Sequence, residues 1–276
     1  MADIDPIYTP DNVRAAFQLN WSASVFWALP APVEEWIDEL KPATEKDGVR
    51  ILEHTWQDDR TTQFLVSTRP DVRPSRILWS IKGRLQHHLQ KTRPNAFTRN
   101  SCLRSIGSAN RQDVESYVGD QLGHHQMADP RVQEDLTRFQ LHDPQVDLSQ
   151  MRQTNHGLYI HNLHLVLVND HRWHEVESEA LERTHRAIVL TARKKGHLLS
   201  RMGVFADHVH LCLGAGIEES PEQIALGYMN NVAFLHGMRP VLQSGYYAGT
   251  FGDYNLDAVR HNLADKSSPP PTQGRG

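Results

Sequence analysis

The sequence has few cysteines, no long apolar segment and, over one stretch, no acidic residue at all. Two cysteines in 276 residues are too few for the disulfide framework of a secreted protein, which predicts a reducing, cytoplasmic location. The acidic N-terminus lacks the apolar segment of a secretory signal. No uncharged apolar run approaches the roughly 18 residues that a membrane-spanning helix needs, so no membrane association is expected.

The stretch without acidic residues, 72–112, carries nine basic ones. Because the whole chain has a net charge of −4, this concentration of positive charge is local. Such a segment is typical of a surface that contacts a polyanion, and a solvated basic face is the alternative. The residues expected to bind nucleic acid are Arg73, Arg76, Lys82, Arg84, Lys91, Arg93, Arg99, Arg104 and Arg111.

The predicted elements occur twice in the same order along the chain. Each half has an apolar strand region, a helix, two strands, a second helix, and a Gly-containing loop before a last helix. Pro74 matches Pro221 at an offset of 147 residues, and Gly107 matches Gly252 at an offset of 145. The sequence therefore predicts a tandem duplication of an α+β domain, with an antiparallel sheet covered by helices on one side.

The duplication sets the predicted boundaries. Single apolar strand regions are predicted over Asn12–Trp27 and Leu158–Asn169, a helix starting at Pro32, and one short helix over Val132–Leu141. The Ser/Pro/Gly-rich end is expected to be disordered. The predicted segments are a first domain over 1–125, an acidic connector over 126–156, a second domain over 157–265 and a tail over 266–276.

A histidine pair in the second half is the sharpest local motif. His208 and His210 lie in the apolar run Asp-His-Val-His-Leu, and on a strand residues i and i+2 share one face. Two neighbouring imidazoles are potential metal ligands. Cys212 would share that face, so a zinc-type site of all three is one alternative, and a small apolar filler is the other interpretation of Cys212.

A second motif lies in the first half, where Tyr117 and Gln121 are four residues apart on a predicted helix and so share a face. A phenol can act as a nucleophile toward phosphorus, and an amide oxygen is a hard ligand suited to magnesium or manganese. Taken alone, the pair is also consistent with a tyrosine that only packs against the fold.

Together these motifs resemble those of the single-tyrosine HUH transposases, above all the REP-associated tyrosine transposases and the related transposases of single-strand insertion sequences. The resemblance covers roughly residues 12–125 and 157–265. The residues that carry it are Phe64-Leu65-Val66, Pro74-Ser75, Ile81-Lys82-Gly83, Ser105-Ile106-Gly107, Tyr117-Val118-Gly119-Asp120-Gln121, Asp207-His208-Val209-His210-Leu211, Tyr246-Tyr247 and Gly249-Thr250-Phe251-Gly252.

The two halves depart from the family pattern in complementary ways. The first half has Thr61 and Gln63 where the family has its histidine pair. The second half has Asn262 in place of the tyrosine and Lys266 in place of the glutamine. In this family two subunits share each site, the histidines of one working with the tyrosine helix of the other. The resemblance therefore implies a pseudo-dimer within one chain, with one composite site.

The activity implied by the resemblance is metal-dependent cleavage and strand transfer of single-stranded or hairpin DNA through a 5′-phosphotyrosine intermediate, in transposition or in a domesticated role. Tyr117 would be the nucleophile, and His208, His210 and Gln121 would hold Mg²⁺ or Mn²⁺. Two alternatives stay open at this point. One is a catalytically silent protein that binds hairpin nucleic acid, and the other is a metallo-phosphoesterase for a small molecule, in which Tyr117 has no role.

Overall fold

The computed structural model describes residues 5–32, 36–124, 127 and 129–264, with residues 262–264 described by their backbone only. The described residues form an α+β structure of seven α-helices and two six-stranded sheets, which confirms the predicted α+β class. The sheets are mixed and not purely antiparallel as predicted, because each contains one parallel pair of strands. The elements up to α3 are β1 (Arg14–Gln18), β2 (Asn20–Trp27), α1 (Ile37–Glu45), β3 (Val49–Asp58), β4 (Thr61–Thr68), α2 (Pro74–Leu89), β5 (Phe97–Ile106) and α3 (Arg111–His124). Those that follow are α4 (Pro130–Thr137), β6 (Gln140–His142), β7 (Arg152–Thr154), β8 (Gly157–Ile160), β9 (Asn162–Asn169), α5 (Ser178–Lys195), β10 (Leu198–Val204), β11 (His208–Gly214), α6 (Pro221–Leu235), β12 (Leu242–Phe251) and α7 (Leu256–Ala264).

The two sheets repeat one strand order. The first sheet runs β3-β4-β2-β5-β8-β7, and the second runs β10-β11-β9-β12-β1 with β6 added beside β10. In each sheet a hairpin is followed by two further antiparallel strands and then by one strand that runs parallel to its neighbour, β8 beside β5 and β1 beside β12. The repeat predicted from the sequence is thus present in the topology.

The parallel strand of each sheet comes from the other part of the chain. The prediction of one strand in each of Asn12–Trp27 and Leu158–Asn169 is wrong. Each segment is interrupted, at Leu19 and at His161, and its two strands belong to different sheets. Both pieces of each segment are apolar on one face, and that pattern does not record which sheet a strand joins. The strands therefore interlock the two sheets.

The segment predicted as a connector also contributes to both sheets. The helix expected over Val132–Leu141 is α4, which begins earlier because the Asp129 side chain accepts a hydrogen bond from the Arg131 backbone N–H. Residues 140–142 form β6, which pairs with β10, and β7 pairs with β8. The helix expected from Pro32 begins at Ile37, and residues 33–35 and the tail 266–276 lie outside the described residues.

Each sheet has its own core. Four aromatic side chains, Trp21, Trp27, Trp36 and Phe64, are fully buried in the first core, where α1 and α2 cover the sheet. In the second core, α5 and α6 cover apolar residues of β9 and β11. Burying side chains of this size is worth about 1.5–3 kcal/mol each, so both cores contribute strongly to the stability of the fold.

The two halves cross at equivalent positions. The Ser105 hydroxyl donates to the Phe251 carbonyl at 2.7 Å, and the Thr250 hydroxyl donates to the Ile106 carbonyl at 2.6 Å. Thr250 stands 145 residues after Ser105, the offset already seen for the glycines. All four residues are buried, so each hydroxyl satisfies a carbonyl of the other half where water has no access.

Glycine is required at this crossing, and alanine there is expected to be strongly destabilising. A Cβ at Gly252 would lie 2.3 Å from the Ser105 carbonyl oxygen, a backbone atom that cannot swing away. Gly252→Ala should therefore lower the free energy of unfolding by roughly 2–4 kcal/mol, measured by urea denaturation. The control is Gly83→Ala in α2, where no atom lies within 4 Å of the added methyl group. The free energy of unfolding of that variant should rise by about 0.5–1 kcal/mol. Equal stabilities of the two variants would contradict the close approach of Gly252 to Ser105.

Candidate active site

The histidine pair lies on β11, which is paired on both sides, by β9 and by β10. His208 and His210 are 8 % and 5 % exposed, and Val209 and Leu211 point to the opposite face, into the core under α5 and α6. The imidazole centroids are 4.8 Å apart, with the planes at 83°. The Nδ1 atom of His208 lies 2.6 Å from Oδ1 of Asp207, which fixes the orientation of that ring.

A third histidine, His164 on β9, completes this group. Its Nε2 lies 2.8 Å from Nδ1 of His210, so the two rings share a hydrogen bond, and the rings stack at a centroid distance of 5.1 Å. Burial lowers the pKa of His164 to about 4, so the ring is neutral at neutral pH. Sequence reasoning missed this residue. The available signal was its position as the one polar interruption of the apolar run Leu163–Val168.

Tyr117 is on α3, and α3 packs against β10 and β11 of the second sheet. The Tyr117 ring stands edge-on to the ring of His210, at a centroid distance of 5.7 Å, and to that of His164, at 6.1 Å. Tyr117 is 51 % exposed, so solvent reaches one side of its ring. The fold thus brings together a tyrosine and a histidine that are 93 residues apart in the sequence.

Gln121, one turn further along α3, is 4 % exposed. It lies on the same side of the helix as Tyr117 and Val118, and Val118 packs on Cys212, Leu148 and Phe251. The helix is therefore held by an apolar contact next to the histidines. Cys212 belongs to this apolar contact, and burial raises the pKa of its thiol. A buried side chain packed among Val118, Leu148 and Phe251 favours the filler interpretation of Cys212 over the zinc-type alternative.

A cavity of about 320 Å³ opens beside Tyr117. Its walls include Tyr117, His164, Asp113 and Tyr247. Tyr247 stands edge-on to His164 at a centroid distance of 6.0 Å, and burial raises the pKa of its phenol. Two tyrosines therefore border the histidines, the more exposed Tyr117 and the half-buried Tyr247.

The equivalent positions of the first half hold neutral polar groups. Gln63 on β4 donates from Nε2 to the Ser22 hydroxyl at 2.6 Å, and it accepts from the Gln57 amide at 2.6 Å. In the second half, Asn262, which takes the place of the tyrosine, lies in α7, and only its backbone is described. Lys266 lies outside the described residues.

The basic residues predicted to bind nucleic acid divide into groups. Arg84 binds both carboxylate oxygens of Asp47, at 3.2 and 3.0 Å, and Arg76 lies 3.5 Å from the same carboxylate. The hydrogen bonds from Arg84, with a further one from the Ser80 hydroxyl, hold the pKa of Asp47 below its usual range. These two arginines are therefore already paired with an acidic side chain at the surface of the fold.

Other basic side chains bind main-chain or acidic groups. Lys82 donates to the Thr98 carbonyl at 2.7 Å, Arg93 donates to the Pro30 carbonyl, and Arg111 pairs with Glu115 and Asp253. The Arg104 guanidinium lies 3.2 Å from the sulfur of Met151. Arg73, Lys91 and Arg99 are exposed, and no ion pair links them to an acidic side chain within the described residues.

This division predicts which of the nine basic residues would set the salt dependence of the nucleic-acid binding expected from the sequence. Each phosphate contact to a single strand contributes about 0.7 to the slope of log affinity against log salt concentration. The double variant Lys91→Ala, Arg99→Ala should therefore lower the slope by up to about 1.4, measured by fluorescence anisotropy at several salt concentrations. The comparison is Arg84→Ala. Asp47 partly neutralises the charge of Arg84, so removing this charge should change the slope less. A larger change for Arg84→Ala would contradict this assignment.

Two features are absent from the described residues. No helix in ranges 5–32, 36–124 and 129–264 is both long and apolar enough to cross a membrane. Among the described side chains, no group of three or more His, Cys, Asp or Glu is arranged to hold a metal ion. A metal at the histidine pair would therefore need a ligand of another type, such as an amide oxygen.

No protein-family profile and no curated protein matches this sequence. Solved structures show partial likeness. A REP-associated tyrosine transposase bound to a REP hairpin aligns with 37 % of this chain and 62 % of its own, at 12 % identity and a TM-score of 0.30. A presumed transposase from Deinococcus radiodurans R1 aligns with 42 % of this chain and 99 % of its own, at 17 % identity and a TM-score of 0.33. A presumed transcriptional repressor of the glycine cleavage system aligns with 85 % and 96 %, at 9 % identity and a TM-score of 0.23.

Proposed function

We propose that this chain cleaves and rejoins single-stranded DNA through a covalent tyrosine intermediate. The observation that carries the proposal is the edge-on contact of the Tyr117 ring with the His210 ring, at 5.7 Å. This contact joins the tyrosine motif of the first half to the histidine motif of the second half. Tyr117 also lines a cavity and is 51 % exposed, so this side chain can be reached from solvent.

We infer that the two halves act as a pseudo-dimer with one composite site. Three features support this inference: the shared strand order, the exchanged strands β1 and β8, and the reciprocal hydrogen bonds of Ser105 and Thr250. In such an arrangement α3 of one half completes the sheet face of the other. One tyrosine and one histidine pair are then sufficient for one site.

The donor set suits a Mg²⁺ or Mn²⁺ ion held by His208, His210 and Gln121. The Nδ1 atoms of the two histidines are engaged by Asp207 and His164, so these rings would bind a metal through Nε2. Imidazole and amide oxygen ligands are compatible with Mn²⁺, and the amide oxygen is a hard ligand for Mg²⁺. When bound, the ion would supply positive charge to a non-bridging phosphate oxygen.

The chain's own residues would carry out the covalent step. The Tyr117 oxygen attacks phosphorus in line with the P–O3′ bond and loses its proton to solvent. The Tyr117–phosphate bond forms as the P–O3′ bond breaks, and the departing 3′ oxygen takes up a proton. The products are a 5′-phosphotyrosine and a free 3′-OH. Attack of a 3′-OH on the phosphotyrosine reverses the step and joins strands, so no external energy source is needed.

The test is formation of a covalent protein–DNA band. Full-length protein is incubated with single-stranded and hairpin oligonucleotides in Mn²⁺ or Mg²⁺, denatured and separated by electrophoresis. We expect a slower band that depends on the metal and carries both protein and DNA. Tight binding with no such band would indicate a silent hairpin-binding protein instead. Hydrolysis of small phosphodiesters that survives Tyr117→Phe would indicate a metallo-phosphoesterase.

His164 is expected to act as a positioning residue through His210. Loss of an outer-shell partner of this kind typically costs about 10–100-fold in metal affinity or activity. His164→Ala should therefore raise the Mn²⁺ concentration needed for half-maximal adduct formation by about that factor, with less effect on the rate at saturating Mn²⁺. His164→Asn retains a polar partner for His210 and should recover part of the loss. A loss of adduct in His164→Ala that saturating Mn²⁺ does not restore would indicate a purely structural role.

A further inference from the structure

The first half contains a second cavity, of about 440 Å³. It lies against the first sheet, at positions equivalent to those of the cavity beside Tyr117 on the second sheet. Gln63 and Ser22 stand where His210 and His164 stand in the other half, at offsets of 147 and 142 residues, and the Gln63–Ser22 hydrogen bond replaces the contact between those two histidines. The cavity has therefore kept its place in the fold while its imidazoles were exchanged for neutral polar groups.

The polar wall of this cavity is ordered. The Gln57 side-chain amide donates to Oε1 of Gln63, and Nε2 of Gln63 donates to the Ser22 hydroxyl, each at 2.6 Å. These bonds use one of the two N–H groups and one of the two lone pairs of the Gln63 amide. A glutamine amide offers a donor and an acceptor side by side, the pattern that matches the edge of a nucleic-acid base.

The remaining walls supply the other features of a nucleotide site. Phe26 and Tyr254 line the cavity, and Tyr254 is 57 % exposed, so an aromatic ring is available for stacking on a base. Arg104 also lines it and brings a positive charge suited to a phosphate. A volume of about 440 Å³ falls in the usual range for sites that hold a small organic group.

We propose that this cavity binds one unpaired nucleotide of the single strand, with its base against Gln63 and its phosphate on Arg104. The proposal rests on the proposed function for the kind of nucleic acid, and it deepens that function by assigning base recognition to the degenerate half. The cavity then selects the strand, and the composite site cuts it.

Cys102 reports directly on occupancy of the cavity. It lines the cavity and is partly exposed, whereas Cys212 is fully buried, so a thiol reagent should react with Cys102 first. The experiment measures the rate of Cys102 alkylation by N-ethylmaleimide in the full chain, located by peptide mass spectrometry. The probes are dA, dC and dT homopolymers of about a dozen nucleotides, and duplex DNA of equal length. No metal is added, so the measurement does not depend on cleavage.

We expect one homopolymer to protect Cys102 best and duplex DNA to give little protection. At an oligonucleotide concentration about ten times its Kd, protection should slow alkylation about tenfold by mass action. Gln63→Leu should remove the difference among homopolymers, and Gln63→Glu, which keeps the shape of the side chain, should alter the order of preference. Thermal unfolding of both variants checks that they are folded. Arg99→Ala should weaken the binding of all homopolymers to the same extent.

The outcomes separate this proposal from the proposed function. Protection that depends on Gln63, in a protein that forms no covalent adduct, keeps the cavity as a nucleotide site and removes the cleavage proposal. Single-stranded DNA that binds by anisotropy but leaves the alkylation rate unchanged overturns the cavity proposal and leaves cleavage standing. Equal protection by all homopolymers, or protection unaffected by Gln63→Leu, also overturns it. Failure of the chain to bind single-stranded DNA overturns both.

Discussion

Tyr117→Phe should form no covalent protein–DNA adduct at any metal concentration. The substitution removes one oxygen atom, and that atom is the proposed nucleophile, so the loss should be complete. DNA affinity and thermal stability should be unchanged, because the ring keeps its edge-on contacts with His164 and His210. The measurement is the metal-dependent adduct band, with anisotropy as the separate measure of binding.

The matched controls are the two other tyrosines near the cavities. Tyr247 borders His164, and Tyr254 lines the cavity of the first half. Tyr247→Phe and Tyr254→Phe should both retain the adduct. If Tyr247→Phe loses the adduct and Tyr117→Phe keeps it, the nucleophile belongs to the second half and the composite site is refuted.

Single substitution of either histidine on β11 should reduce adduct formation by roughly a thousandfold or more. The basis is that the charge supplied to a phosphate by a bound metal is worth several kcal/mol in the transition state, and each 1.36 kcal/mol is a factor of ten. His208→Ala and His210→Ala remove one proposed ligand each. DNA binding should persist, because the exposed basic residues of 72–112 lie on other elements.

The control for these variants is His87→Ala, an exposed histidine on α2. It should keep full activity. Because His210→Ala also leaves His164 without its partner, some loss of stability is expected, about 1–3 kcal/mol for a buried polar group left unsatisfied. Adduct formation by folded His210→Ala at the level of His87→Ala would exclude the histidines from the chemistry.

Local pattern was sufficient to predict several parts of this structure. Alternation along β11 correctly put both histidines on one face, and Val209 and Leu211 lie on the other, in the core. The repeat offset identified equivalent glycines, and these lie together at the crossing of the halves. The two prolines matched by the repeat begin equivalent helices, Pro74 in α2 and Pro221 in α6.

Other parts depend on contacts between residues distant in the sequence, and a local pattern does not predict such contacts. The chain breaks at Leu19 and His161 without a glycine or proline to mark either point, so exchange of β1 and β8 was not predicted. His164 joins the site through a strand pairing with β11 that brings it beside His210. The nine basic residues looked alike in the sequence, yet Asp47, far from them along the chain, engages two.

The tyrosine of one half and the histidines of the other are proposed to form one site, and mapping the covalent bond decides whether they do. The wild-type adduct is formed with a single-stranded oligonucleotide and Mn²⁺, digested with a nuclease and a protease, and sequenced by mass spectrometry. We predict a single modified residue, Tyr117, carrying a 5′-linked nucleotide. A nucleotide on Tyr247 or Tyr254, or on a residue that is not a tyrosine, would exclude the composite site.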